Sequence, residues 1–362
     1  MSDRRLWRVR RLPRRGVAVA SLASLVVAAG VAAPAVVAPA TAMGPAAGSA
    51  GGPAMGSSLR SATGSGPALR ACEWAPDVLP LPDDAYYGRV TAGAGEWLAG
   101  IAGTDGVNEA VRWRAGEVEP LGAAFGLHTA VTAVNEDGVV VGTVTGPDRT
   151  QHAFRHRGGR FERLPESGGS STALDVNARG DVVGHDGSRL VVWPATGPPR
   201  VLAMPAGEAP YGRAAVDDDG VVAARTGYVA DGALRWHGYT WTPDGTRVPL
   251  AAGDVQDLRR GQVVGALGEP QGVTRAAGWR TGDEPRVFLG GATAVAVNDD
   301  GVVVGEGRDG EPVLWDGALP APLPTPPRHV TGAVTALNDR EAGGFAIPRD
   351  GDGAVPLRWV CR

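Results

Sequence analysis

Short apolar runs separated by polar turns recur along this chain about every forty residues. In each recurrence an Ala- and Val-rich run leads into a turn that ends in Gly, and a second Val-rich run follows. The clearest copies are 133–142 (AVNEDGVVVG), 175–184 (DVNARGDVVG) and 296–305 (AVNDDGVVVG). Weaker copies end at Ala224 and Gly265, and degenerate ones at Gly100 and near Phe345. The runs are short, carry no helical period and are bounded by Gly, Asn and Asp, so they read as strands. In the copy near Thr129 the expected strands A to D are 130–135, 139–145, 152–156 and 160–164. The A–B turn carries Asn-x-x-Gly, in which Asn closes an Asx turn and Gly supplies a positive φ. Self-similarity at this period marks a propeller or a solenoid, and short strands throughout exclude a helical solenoid.

Proline orders the strands. Pro120, Pro165, Pro205, Pro249 and Pro324 fall at or near the end of strand D, and a residue without an N–H belongs on an exposed sheet edge. Strand D is therefore outermost and the small-residue strand A innermost, the order of a propeller blade. Strand C carries Trp113, Trp193, Trp241, Trp279, Trp315 and Trp359, with His156 in the slot of the second copy. A Trp repeated in every unit suits the core between neighbouring sheets better than a row of ligand platforms. The last copy stops one strand short, and its missing strand-D pattern sits at the other end of the repeats, in 74–82. The sequence thus predicts an all-β, seven-bladed β-propeller of four-stranded antiparallel blades over 71–362. An N-terminal strand pairing with the C-terminal blade closes it and removes two edges at once. Six or eight blades are the alternatives if the degenerate end copies are counted differently.

The repeat A-x-x-(V/I)-N-x-x-G-x-V-V-G, followed by a strand such as 152–156 (HAFRH) and a final Leu-Pro or Leu-Gly, resembles the HAF repeats of bacterial extracellular proteins. The resemblance covers most of 87–360 and implies a β-propeller with no defined activity. The fifth copy departs from it, with 257–261 (DLRRG) in place of the Asn turn, and the seventh has Glu341 where Gly is expected.

The two ends set the compartment. Seven arginines from Arg4 to Arg15 precede an uncharged apolar run from Val17 to about Val37, and A-x-A sites follow at 38–40 and 40–42. These are the three parts of a secretory signal over 1–42. The run is long enough to span a bilayer, so an uncleaved anchor is the alternative, and paired arginines leave the Sec and twin-arginine routes both open. Residues 43–70 are Gly, Ala, Ser and Pro with few large apolar side chains, a flexible tether. Cleavage takes the net charge from −4 to about −10, which disfavours binding to phosphate backbones by counterion release. The two cysteines, Cys72 and Cys361, flank the repeats, and in an exported chain such a pair reads as a disulfide across the closing seam.

Candidate chemistry is sparse. His152 and His156 lie four apart, but on a strand that separates them by roughly 13 Å, too far to share an ion. The acidic turns at 217–220 and 298–301 place Ala215 or Ala296 where a calcium loop needs an oxygen ligand. There is no G-x-S-x-G elbow. No cofactor, metal or catalytic residue is expected. The B–C and D–A connections vary in length and share one face, where binding residues gather on a rigid scaffold. The longest, 227–237, adds Tyr228, Trp236 and His237, none belonging to the repeat. They are the candidate ligand-binding residues; the alternative is a plug packed over the blade. The expected function is a secreted, monomeric, noncatalytic recognition or cell-surface scaffold that binds a glycan, a peptide or an envelope protein. It has no nucleic-acid partner, and meets a membrane only through an uncleaved signal segment. The alternative is a propeller hydrolase or lyase acting on an extracellular polysaccharide through carboxylates at the channel mouth.

Overall fold

A computed structural model gives the fold. It describes residues 73–362 except 105–106, 127, 168, 251–252, 269–273, 281 and 352. The expected signal segment, the tether and Cys72 lie outside the described residues.

Among the described residues there is no helix, and the strands are built as meanders. After β1 (Trp74–Val78) comes the meander β2 (Tyr87–Ala94), β3 (Trp97–Thr104), β4 (Val107–Arg114) and β5 (Glu117–Gly122). The next is β6 (His128–Val134), β7 (Val140–Thr145), β8 (Gln151–Arg157) and β9 (Arg160–Arg163). Then follow β10 (Ser171–Val176), β11 (Val182–Asp186), β12 (Arg189–Trp193) and β13 (Arg200–Val201). A fourth group is β14 (Ala209–Val216), β15 (Val222–Ala230), β16 (Ala233–Trp241) and β17 (Arg247–Pro249). Next are β18 (Asp254–Arg259), β19 (Gln262–Gly268), β20 (Thr274–Arg280) and β21 (Arg286–Val287). The chain ends with β22 (Gly291–Val297), β23 (Val303–Gly307), β24 (Pro312–Trp315) and β25 (Pro320–Pro322), then β26 (His329–Leu337), β27 (Glu341–Pro348) and β28 (Val355–Cys361).

Each meander is a four-stranded antiparallel sheet in chain order. The first two are joined into one sheet by a single parallel bridge, Asn108 to His128. The first strand of every meander lines one axial cavity, and the fourth strand, which carries proline in β1, β5, β17 and β25, is the free edge. The final sheet has the order β1-β28-β27-β26. β1 pairs with β28 from Trp74 opposite Cys361 to Val78 opposite Leu357, so it occupies the fourth-strand position of the last meander.

The repeated residues hold the sheets to one another. Trp193, Trp241, Trp315 and Trp359 are buried against the preceding meander. Each donates its indole N–H to a carbonyl just beyond that meander's edge strand: Pro165 at 2.7 Å, Ala203 at 3.1 Å, Leu289 at 3.1 Å and Pro324 at 2.7 Å. Trp113 does the same to Pro80 at 2.8 Å, beyond β1, and packs with Leu79 and Ala336. The Asn of the turn works twice. Asn177 accepts from Asp181 N at 2.9 Å to close its own turn and donates to the Asp217 carbonyl of the next meander at 3.0 Å. Asn135 and Asn298 repeat the pattern.

Three departures from the repeat have local causes. Residues 227–237 are a continuation of β15 and β16 as a hairpin rather than a loop, turning at Asp231 (φ 52) and Gly232 (φ 73). The seventh A–B turn dispenses with Gly by being one residue shorter: Asn338 N bonds to the Glu341 carbonyl at 3.0 Å, where Asn298 N reaches on to Val302. The fifth turn has Arg259 in the Asn slot, and that change builds part of the axial site described below.

Candidate functional site

Two constellations break the repeat. The first is the β15–β16 hairpin on the face of the B–C and D–A connections. Antiparallel pairing sets Thr226 opposite His237, Tyr228 opposite Arg235 and Gly227 opposite Trp236. Alternation along a strand then divides the three expected ligand residues: Tyr228 and His237 share one face, and Trp236 takes the other.

On the first face everything converges on Glu208. Its carboxylate meets the hydroxyl of Thr226, His237 Nδ1 at 3.1 Å and the Tyr239 hydroxyl at 3.2 Å, while Tyr228 Oη lies 3.3 Å from His237 Nε2. Burial works against the Glu208 charge, but the hydrogen bonds from Thr226, His237 and Tyr239 outweigh it and hold the pKa below the ordinary value. Burial, then the charge on Glu208, pushes the Tyr239 phenol up. Tyr228 and His237 are thus tied into a half-buried polar cluster around Glu208.

The second face is open. Trp236 keeps 45% of its surface exposed and Val229 74%. The Arg225 guanidinium lies over the Tyr211 ring at 4.9 Å and the Trp236 ring at 5.7 Å, a cation–π cradle. It is held there by Nε to the Tyr211 carbonyl at 3.2 Å and by Asp254 at 2.8 Å.

The second constellation lies on the axis. In the inner strands the position two before the turn residue is Ala92, Ala133, Ala215, Ala296 or Ala336, but Asp175 in β10 and Asp257 in β18. Both carboxylates line the axial cavity with Arg259. Each also accepts an inner-strand N–H of the next meander, Val216 N at 2.8 Å and Val297 N at 2.9 Å. Burial pushes Asp175 up to about 6, with the Arg259 charge opposing and Asp257 adding to the rise. Burial disfavours the Arg259 charge, but Asp257, Asp175, Asp218 and Asp299 more than compensate, so it stays ionised. At the A–B mouth Glu136 is raised by burial and by its neighbours Asp299, Asp218 and Asp339. Sequence reasoning missed this axial group, although the replacement of Ala by Asp in two aligned copies and of Asn by Arg259 signalled it. It also missed Glu208, Tyr211 and Arg225, which only the fold brings to the hairpin.

No protein-family profile matches this chain. No curated protein matches it either. Solved structures do match. One is the β-propeller domain of the Trilobed protease from Pyrococcus furiosus, described as having an open velcro topology: TM-score 0.51, 13% identity, covering 76% of this chain and 96% of that one. Another is a catalytically inactive virginiamycin B lyase from Staphylococcus aureus with quinupristin: TM-score 0.50, 11% identity, covering 80% and 99%. The fold is that of a β-propeller. At these identities the likeness extends to the fold alone, and each four-stranded sheet is a blade.

Proposed function

We propose that the chain is an exported, noncatalytic recognition module on a closed, seven-bladed propeller, and that it engages its partner through the β15–β16 hairpin. The observation that carries this reading is the open hairpin face. A large aromatic side chain stands nearly half exposed on a strand pair that extends past its blade, stacked by an arginine that is itself fixed. A rigid, amphipathic aromatic surface of this kind gives contact area at little entropic cost. The repeat count and the pairing of β1 to β28 support seven blades. The register that sets Trp74 opposite Cys361, with Cys72 two residues before Trp74 in the sequence, supports a Cys72–Cys361 disulfide. Non-reducing peptide mapping of the secreted chain should recover 72 and 361 in one linked pair; two alkylatable thiols would remove this part of the proposal. The HAF-repeat resemblance and export fit the same reading.

Binding is tested by screening the exported chain and its Trp236→Ala variant against glycans and envelope proteins. Partners of the parent chain should be lost by the variant while its melting temperature stays within the small range of an exposed substitution. Partners retained at full strength would place recognition elsewhere.

One observation favours a polysaccharide hydrolase or lyase instead: Asp175 and Asp257 line one cavity. Each carboxylate, however, accepts a backbone N–H and is offset by Arg259, which gives both a packing role. This reading therefore ranks second.

A further inference from the structure

At the base of the hairpin three donor atoms close a nearly regular triangle. Glu208 Oε1 lies 3.1 Å from His237 Nδ1 and 3.2 Å from the Tyr239 hydroxyl, and Nδ1 and that hydroxyl are 3.4 Å apart. Two elements hold them there. His237 and Tyr239 stand two apart on β16 and so share a face, while Glu208 ends the turn before β14, its N–H on the Pro205 carbonyl. Hydrogen bonding accounts for two sides of the triangle, with Nδ1–H and the phenol O–H both donating to Oε1. The third side then joins two groups whose protons are already committed. The atoms behind the triangle are fixed as well. The Thr226 hydroxyl donates to Glu208 Oε2, and His237 Nε2 lies 3.3 Å from the Tyr228 hydroxyl, which accepts its N–H when Nδ1 is the bare nitrogen. Metal-binding imidazoles and carboxylates are held in this way, by a partner on the atom that does not touch the ion. The His237 side chain is 45% exposed, so solvent reaches the triangle.

We propose that Glu208, His237 and Tyr239 bind a zinc ion through Oε1, Nδ1 and the phenol oxygen, with water in the fourth position. Size favours zinc. Donors about 2.0–2.1 Å from a tetrahedral ion stand about 3.3–3.4 Å from one another, close to the three sides observed. Octahedral magnesium, at about the same bond length, needs sides of about 2.9 Å. The donor set agrees, since imidazole suits zinc, whereas calcium and magnesium take oxygen ligands. Among the described residues no three His, Cys, Asp and Glu side chains gather as a metal set; here a phenol supplies the third donor. Burial and the Glu208 charge hold that phenol protonated. A bound cation outweighs them and releases its proton to solvent. The ion cross-links the turn before β14 to the hairpin, on the face opposite Trp236, so the proposal is independent of recognition by that residue.

Calorimetric titration of the exported chain, free of any affinity tag, with zinc chloride tests this, while ultraviolet difference absorption records phenolate. One ion should bind per chain and ionise one tyrosine, and magnesium chloride should do neither. His237→Gln should lose the ion. Tyr239→Phe should remove the phenolate signal and weaken zinc about tenfold or more. Tyr228→Phe takes away only the acceptor on Nε2, and should weaken zinc about 10- to 100-fold with the signal kept. Both Phe variants retain the ring and its packing, so a loss of fold does not imitate the result. Failure of the parent chain to bind zinc overturns the site. Zinc binding unchanged by His237→Gln does the same, as does a phenolate signal that survives Tyr239→Phe. The partner screen with Trp236→Ala decides the recognition reading separately.

Discussion

Asp175 and His185 respond to acid in opposite senses over the same pH range. Burial raises Asp175 to about 6, so between the ordinary carboxylate value and about 6 the folded chain holds a proton that the unfolded chain releases. Its contribution to stability therefore falls as pH rises through that window. His185 is enclosed, its Nε2 without a hydrogen-bond partner, and burial lowers it to about 4 from 6.5. There the unfolded chain takes up the extra proton, and stability falls as pH drops from about 6.5 to about 4. In the parent chain the two effects offset. Melting temperatures across this range, taken as variant minus parent, should separate them. The difference for Asp175→Asn should grow as pH rises from 4 to 6, and that for His185→Phe should grow as pH falls. Flat differences in both would show that neither group titrates as its burial requires. Asp175 was readable as an exception in the aligned repeats, since its slot otherwise holds Ala or Asp257. The environment of His185 was not, because nothing in its neighbourhood in sequence announces that its ring is enclosed.

The strands show why the second Val-rich run ends in Gly. At Gly184 an added Cβ would fall inside van der Waals contact of the Thr172 carbonyl oxygen, because β10 bulges between Ala173 and Asp175 against its partner. Gly142 and Gly305 stand in the same relation to Ala130 and Thr293. The fourth blade has Ala224 in this slot, and there the single-residue bulge is replaced by a register shift running from Pro210 to Ala214. Gly184→Ala should therefore cost about 1–3 kcal/mol by overpacking, measured by denaturant unfolding. A change within error would mean that β10 can detour as β14 does. The first, second and third strands of a blade were legible because alternation, Asn-x-x-Gly turns and Trp spacing agree with one another. The 227–237 hairpin was not, because its apolar and polar residues vary without repeat support. The Asp231-Gly232 pair was the available signal, as a dipeptide that favours the two-residue hairpin turn.

At the scale of the molecule, contacts between the first and last repeats match those between neighbours. Thr335 Oγ1 donates to the Val90 carbonyl at 2.7 Å, as Thr91 does to Val131 at 2.8 Å and Thr132 to Ala173 at 2.9 Å. Asn338 Nδ2 reaches the Trp97 carbonyl, continuing the turn-to-turn series. Arg358 of β28 bonds Asp77 of β1 at 2.8 Å and Glu341 at 3.2 Å, and so ties the edge strand to the short seventh turn. The sequence carried this arrangement in the displaced strand-D pattern of 74–82. It carried the axial charge group only as exceptions to the repeat, because Asp175 lies about 80 residues from Asp257 and Arg259 and meets them only through the packing of the inner strands. Native-state hydrogen exchange of β1 tests the proposed closure most directly. If β1 completes the last blade and closes the ring, amides of Trp74–Val78 that bond to β28 exchange only by global unfolding, as slowly as those of the interior strand β27. Exchange of β1 orders of magnitude faster than β27 would show a frayed strand and an open ring, contradicting the account.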